Sequence, residues 1–241
     1  MQPRLSARLL LIICIPLLLL TACDQISRLG KGPPTARVLF IGNSFTSYNG
    51  GLDKQLEGLN PSIETAIFGE GGFTLEDHWN DGKALREIQK GGWNYVVLQE
   101  QSQTPILSAK KFQDYASYFD AKITASGAET ILLMTWERPD SARAGVTTTN
   151  LANAFTTLGK ALNARVAPAG IAFARSLSTR PSLALYAQDG HPTIAGTCLA
   201  ACVLYATIFG KSPIGNAFAD ASISAQDQTY LQKIAADSAG Y

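Results

Sequence analysis

The chain has 241 residues, 46% of them hydrophobic and 16% charged, with a formal net charge of +1. That size and balance suit one compact α/β domain. No basic run of five or more residues occurs, which argues against nucleic acid as a partner, and two histidines with no CxxC pair or HExxH cannot build a His-rich metal site.

The first 22 residues read as a targeting segment rather than as fold. Arg4 and Arg8 form a basic start, and Leu9 to Leu20 is a nearly unbroken apolar run, short for a bilayer span. Leu20-Thr21-Ala22-Cys23 follows, and it resembles the lipobox of bacterial lipoprotein signal peptides. The resemblance implies cleavage before Cys23 and lipidation of its thiol. The alternative is an ordinary secretory signal with an incidental cysteine. A lipidated Cys23 would hold the protein on a membrane of the bacterial cell envelope, at its periplasmic or outer face. Residues 23–37, with Gly30, Gly32, Pro33 and Pro34, read as a flexible tether, and 38–241 as the folded domain. Cys198 and Cys202 lie four apart in an apolar segment, in poor geometry for a disulfide, and read as small buried hydrophobes.

Short apolar runs then alternate with amphipathic stretches. Strands are expected at Val38–Ile41, Glu64–Phe68, Tyr95–Leu98, Thr130–Met134 and Gly170–Phe173. Helices are expected at Leu75–Lys90, Ala109–Ala125, Asn150–Ala164, Thr193–Phe209 and Ala225–Ala236. This alternation predicts βαβ units and a parallel sheet of about five strands covered on both faces. Ligands bind such sheets at the carboxyl ends of the strands.

Four strand-end segments carry polar groups suited to chemistry. Gly42-Asn43-Ser44 follows the first strand, and Ser44 is placed either to cap a helix or to attack an electrophile. A glycine-rich turn containing Gly72 follows the second, with Thr74 as a helix cap. Gln99-Glu100-Gln101 follows the third. Asp189-Gly190-His191-Pro192 precedes the last long apolar helix, with Pro192 expected in its first turn. The other histidine, His78, sits beside Glu76 and Asp77 and reads as a polar-face or pocket-wall residue.

These segments, in this order, resemble the SGNH/GDSL hydrolase superfamily. The resemblance spans roughly Val38 to Phe209 and implies a three-layer α/β/α flavodoxin-like sandwich. It assigns Ser44 as nucleophile, His191 as base, and Ser44, Gly72 and Gln99 as oxyanion-hole donors. Asn43 replaces the family's Asp, and LQEQS replaces its GxND segment, so that Gln99 is the substitute donor. The family's acid stands three residues before the histidine, where this chain has Gln188. Asp189, two before, is the candidate acid, with Glu137 and Asp140 as outside candidates and a Ser–His dyad as the alternative.

The implied function is a cofactor-independent, metal-free serine esterase acting on O-acyl, including O-acetyl, groups of small-molecule, glycan or envelope-derived substrates. An SGNH-type acyltransferase and a non-catalytic binding lipoprotein are the alternatives.

Overall fold

The computed structural model describes residues 33–241. The signal peptide, Cys23 and most of the tether lie outside the described residues. The tether ends two residues earlier than expected: Ala36 and Arg37 belong to the first strand, and the Arg37 N–H donates to Asn94 Oδ1 at 2.7 Å.

The strands are β1 (Ala36–Gly42), β2 (Ile63–Gly69), β3 (Tyr95–Leu98), β4 (Glu129–Leu133) and β5 (Arg165–Ala167). They form one parallel sheet in the order β2-β1-β3-β4-β5. The helices in chain order are α1 (Ser44–Ser47), α2 (Leu52–Leu59), α3 (Leu75–Asp81), α4 (Lys83–Lys90), α5 (Thr104–Leu107), α6 (Ala109–Ala125), α7 (Thr148–Leu162), α8 (Ala169–Thr179), α9 (Ile194–Phe209) and α10 (Ala225–Ala239).

Side-chain alternation along the strands sorts the core into two layers. Val38, Phe40, Val97, Ile131 and Leu133 face the layer of α2, α8, α9 and α10. Leu39, Ile41, Val96, Leu98 and Leu132 face the layer of α3, α4, α6 and α7. Every residue of Val38–Ile41 is fully buried, which is why the run is continuously apolar. Each such side chain contributes about 1.5–3 kcal/mol. Helix α9 is apolar all round because α2, α8 and α10 enclose it. Cys198 and Cys202 are free thiols buried within it.

Two sequence expectations are corrected. Gly170–Phe173 is not the fifth strand but the first turns of α8. β5 ends at Ala167, and Pro168 starts the helix there. Gly170 packs against the Thr135 backbone, where no side chain fits, and its N–H donates to the Met134 carbonyl at 3.0 Å. A short buried apolar run has no periodicity to separate the two states. The stretch 75–90 is two helices, broken where Gly82 takes a φ of +72°.

Chain connections leave β1 for β2 on one side and pass to β3 on the other. The crevice at the carboxyl ends of β1 and β3 is therefore the topological switch point, where open α/β sheets place ligands.

Candidate active site

The sharp exit from β1 is built by Asn43. Its Oδ1 accepts from the Phe45 N–H at 3.0 Å, capping α1, and its Nδ2 donates to the Phe73 carbonyl at 2.9 Å. One side chain thus fixes Ser44 at the first position of α1 and ties it to the β2–α3 loop. The Ser44 N–H lies in the first turn and has no intrahelical acceptor.

Asp189 and His191 share one hairpin. Gly190 N–H donates to Ala187 carbonyl and Ala187 N–H to His191 carbonyl, both at 2.9 Å, while Tyr186 bridges Pro192 antiparallel. Gly190 takes a φ of +85°, the left-handed residue that such a turn needs on its way back into pairing. Asp189 Oδ1 accepts from the His191 N–H at 3.0 Å, an Asx turn, and Oδ2 accepts from His191 Nδ1 at 2.9 Å. His191 Nε2 is left to accept from Ser44 Oγ, 2.9 Å away. The left-handed glycine is what lets a carboxylate two residues before the histidine reach its ring. These bonds, the backbone N–H first, hold the Asp189 carboxyl below its ordinary pKa. Pro192 is not in the following helix: Thr193 caps α9, and Pro192 belongs to the hairpin.

The expectation for Gln99 is corrected. Its side chain is 1% exposed. Its Oε1 accepts from the Asn43 N–H at 2.9 Å and the Thr46 hydroxyl at 2.8 Å, and its Nε2 donates to the Glu100 carbonyl. Each polar atom has a protein partner, and the buried side chain is not among those that border the cavity. A Cβ on Gly42 would come 2.5 Å from both Gln99 Oε1 and Thr46 Oγ1, so glycine is needed for this brace to close. Gln101 stands on the cavity wall instead. Its Oε1 accepts from the Gln103 and Thr104 N–H groups, which turns its Nε2 away from the loop with no protein acceptor among the described residues. Gly72, at φ +76°, also lines the cavity, in the turn closed by Phe73 N–H to Glu70 carbonyl. Ser44, Gly72, Gln101, Arg138 and His191 border one cavity of about 470 Å³.

Several supporting residues carry no sequence signal of their own. Tyr48 stacks on His191 with centroids 4.4 Å apart, and Phe45 meets the same ring edge-on at 5.5 Å. Phe45, Trp136 and Phe173 form a nearly parallel column beneath, with Trp136 Nε1 donating to the Gly190 carbonyl at 3.0 Å. Asn49 Nδ2 donates to the Pro192 carbonyl and the Thr197 hydroxyl, both at 2.9 Å, pinning the hairpin to the serine's turn.

His78 is neither on a polar face nor on the cavity wall. It is 2% exposed, and its Nε2–H donates to the Gly42 carbonyl at 2.6 Å; burial lowers its pKa, which keeps the ring neutral. Glu137 is occupied by the Thr148 N–H and hydroxyl. Glu100 is buried between the loops that follow β2 and β3, its Oε1 accepting from the Leu75 N–H at 3.2 Å and the Gln101 N–H at 2.7 Å. Burial pushes its carboxyl up to about 7.

Neither a family model nor a curated protein sequence matches the chain. Solved structures do. A protein from Slackia heliotrinireducens, provisionally classed as an SGNH hydrolase, is 28% identical, with a TM-score of 0.64 over 72% of this chain and 98% of that one. A DUF4886 family protein from Bacteroides uniformis is 17% identical, with a TM-score of 0.68 over 84% and 93%. The acetyl xylan esterase AlAXEase is 17% identical, with a TM-score of 0.56 over 71% and 99%. The fold is that of the SGNH/GDSL-type hydrolases, a class of ester-bond hydrolases. In this chain a serine at the end of β1 faces an Asp–Gly–His hairpin.

Proposed function

We propose that this protein is a serine esterase that removes O-acyl, including O-acetyl, groups from carbohydrate or envelope-derived substrates. The observation that carries the reading is the continuous chain from Ser44 Oγ to His191 Nε2 and from His191 Nδ1 to Asp189 Oδ2, each link 2.9 Å, at the edge of a cavity. In this reading Ser44 Oγ attacks the acyl carbonyl as its proton passes to His191 Nε2. Asp189 fixes the imidazole tautomer and stabilises the imidazolium. The N–H groups of Ser44 and Gly72 and the Nε2 of Gln101 take up the developing oxyanion. His191 then protonates the departing alkoxide. Water, activated the same way, cleaves the acyl-Ser44 ester and restores the serine.

The fold likeness to an acetyl xylan esterase supports small acyl groups on sugars as the first substrates to try. The predicted lipid on Cys23 would place the site at an envelope surface, where glycan esters are available. Loss of labelled-palmitate incorporation in Cys23→Ser tests that placement.

The deciding experiment incubates the domain with a serine-reactive organophosphonate and with an aryl acetate, comparing wild type with Ser44→Ala and His191→Ala. Labelling and turnover that vanish in Ser44→Ala support the reading. Labelling of Ser44→Ala equal to wild type overturns it.

A further inference from the structure

Arg138 stands on the wall of the cavity that holds Ser44 and His191, and on the wall of a second, adjoining cavity lined by Trp136, Glu137 and Tyr186. Its backbone is fixed: its N–H donates to Ser141 Oγ, which in turn donates to the Val146 carbonyl. Its side chain lies flat on the acid–base hairpin, so close that a Cβ on Gly190 would come 2.8 Å from its Cγ and Nε.

Its charge is unspent. Arg37, Arg165 and Arg180 each reach a carboxylate, Glu64, Glu129 and Asp227 respectively. Arg86, Arg138, Arg143 and Arg175 reach none among the described residues, and of these four Arg138 lines the cavity and has a buried Nε with no hydrogen-bond acceptor. The two carboxylates that line these cavities with it are occupied elsewhere. Glu137 takes the Thr148 N–H and hydroxyl, and Asp189 takes the N–H and ring of His191. A buried N–H donor without a partner is costly, and a guanidinium fork is shaped for two oxygens of one anion.

We propose that Arg138 binds an anionic substituent, a carboxylate or a phosphate, carried by the substrate beside its scissile ester. This rests on the esterase reading above and narrows it: the preferred substrates are acidic esters rather than neutral ones. The anion engages the guanidinium where Arg138 stands between the two cavities.

The test measures kcat/KM for three acetyl esters: 4-acetoxybenzoate, 4-acetoxyphenyl phosphate and the neutral methyl 4-acetoxybenzoate. Wild type is expected to favour at least one anionic ester over the neutral one by about tenfold or more, through KM. Arg138→Gln is expected to collapse that anionic-to-neutral ratio to near one, Arg138→Lys to restore part of it, and rising salt to erode it in wild type. Preference for one anionic ester over the other identifies which anion is held. A wild-type ratio near one, or an unchanged ratio in Arg138→Gln, overturns the proposal. If Ser44→Ala turns over these esters as wild type does, the esterase reading itself fails and the proposal falls with it. Turnover that needs Ser44 but shows no anion preference removes the proposal alone.

Discussion

The ring of Tyr48 lies face to face with the imidazole of His191, centroids 4.4 Å apart and planes 23° from parallel. Tyr48 is 44% exposed, so it forms an outer wall over a ring whose inner side meets Phe45. An aromatic face favours the imidazolium that forms during turnover and keeps the ring aligned between Ser44 and Asp189. Such a contact is worth about 0.5–1.5 kcal/mol, or up to about tenfold in rate. Tyr48→Ala is therefore expected to lower kcat by about three- to tenfold, and Tyr48→Phe to keep wild-type activity. Equal losses in both variants, measured on an aryl acetate, would assign the effect to the hydroxyl instead.

Asp189→Asn separates charge from shape. The amide can still accept the His191 N–H and keep the Asx turn, but it cannot hold the Nδ1–H tautomer as a carboxylate does. A drop in kcat of about 10²–10⁴ with little change in KM is expected. The acidic limb of the pH–rate profile belongs elsewhere, because the bonds from His191 depress the Asp189 carboxyl and keep it ionised well into acid. Full activity of Asp189→Asn would leave a Ser–His dyad.

Gln99 and Gln101 are two residues apart and predict opposite outcomes. Gln99→Ala strands the buried Asn43 N–H and Thr46 hydroxyl, and is expected to cost about 2–4 kcal/mol of stability. Gln101→Ala frees the part-buried Gln103 and Thr104 N–H groups, and is expected to cost less stability, about 1 kcal/mol, while lowering kcat by about 10²–10³. Thermal melts and steady-state rates on the same two preparations read both effects, and interchanged results would return the donor role to Gln99.

Glu100 makes stability depend on pH near neutrality. Burial raises its folded-state pKa from 4.5 to about 7, so its protonated form is the one the fold favours. The resulting contribution is complete below pH 4.5 and is lost as pH rises towards 7. At full extent it amounts to about 3 kcal/mol. Glu100→Gln keeps an acceptor for the Leu75 and Gln101 N–H groups and cannot ionise. Urea unfolding at pH 5, 6, 7 and 8 should show a wild-type decline from this group that the variant lacks. Parallel pH profiles for the two proteins would contradict the assignment.

The sheet and its layers were legible because each rests on local signals: apolar runs at strand length, glycine at sharp exits, cap residues at helix starts. The Ser44–His191 pairing, 147 residues apart, was legible only through the resemblance to the SGNH/GDSL hydrolases. Gly170–Phe173 misled because four buried apolar residues look alike in a strand and in a helix. Gln99 and Gln101 both follow β3 and carry the same amide, so the sequence alone does not separate them. The choice between them is made by Gly42 and Thr46, which meet Gln99 only across the sheet. Asn49, Tyr48 and Arg138 gave no signal, since each acts on the 186–192 hairpin from a distant part of the chain.

The Asp–Gly–His hairpin also separates the local part of the site from the part that needs the whole fold. Acid and base meet within three residues, so their pairing closes a loop of almost no length and needs little of the fold. The serine meets the base across 147 residues, and only after β1, the Asn43 cap and α9 have come together. A partly folded chain can thus hold a paired acid and base while its serine remains an ordinary alcohol. Nucleophilic reactivity at Ser44 therefore depends on the packed fold, whereas the Asp189–His191 pair is a local property of the chain.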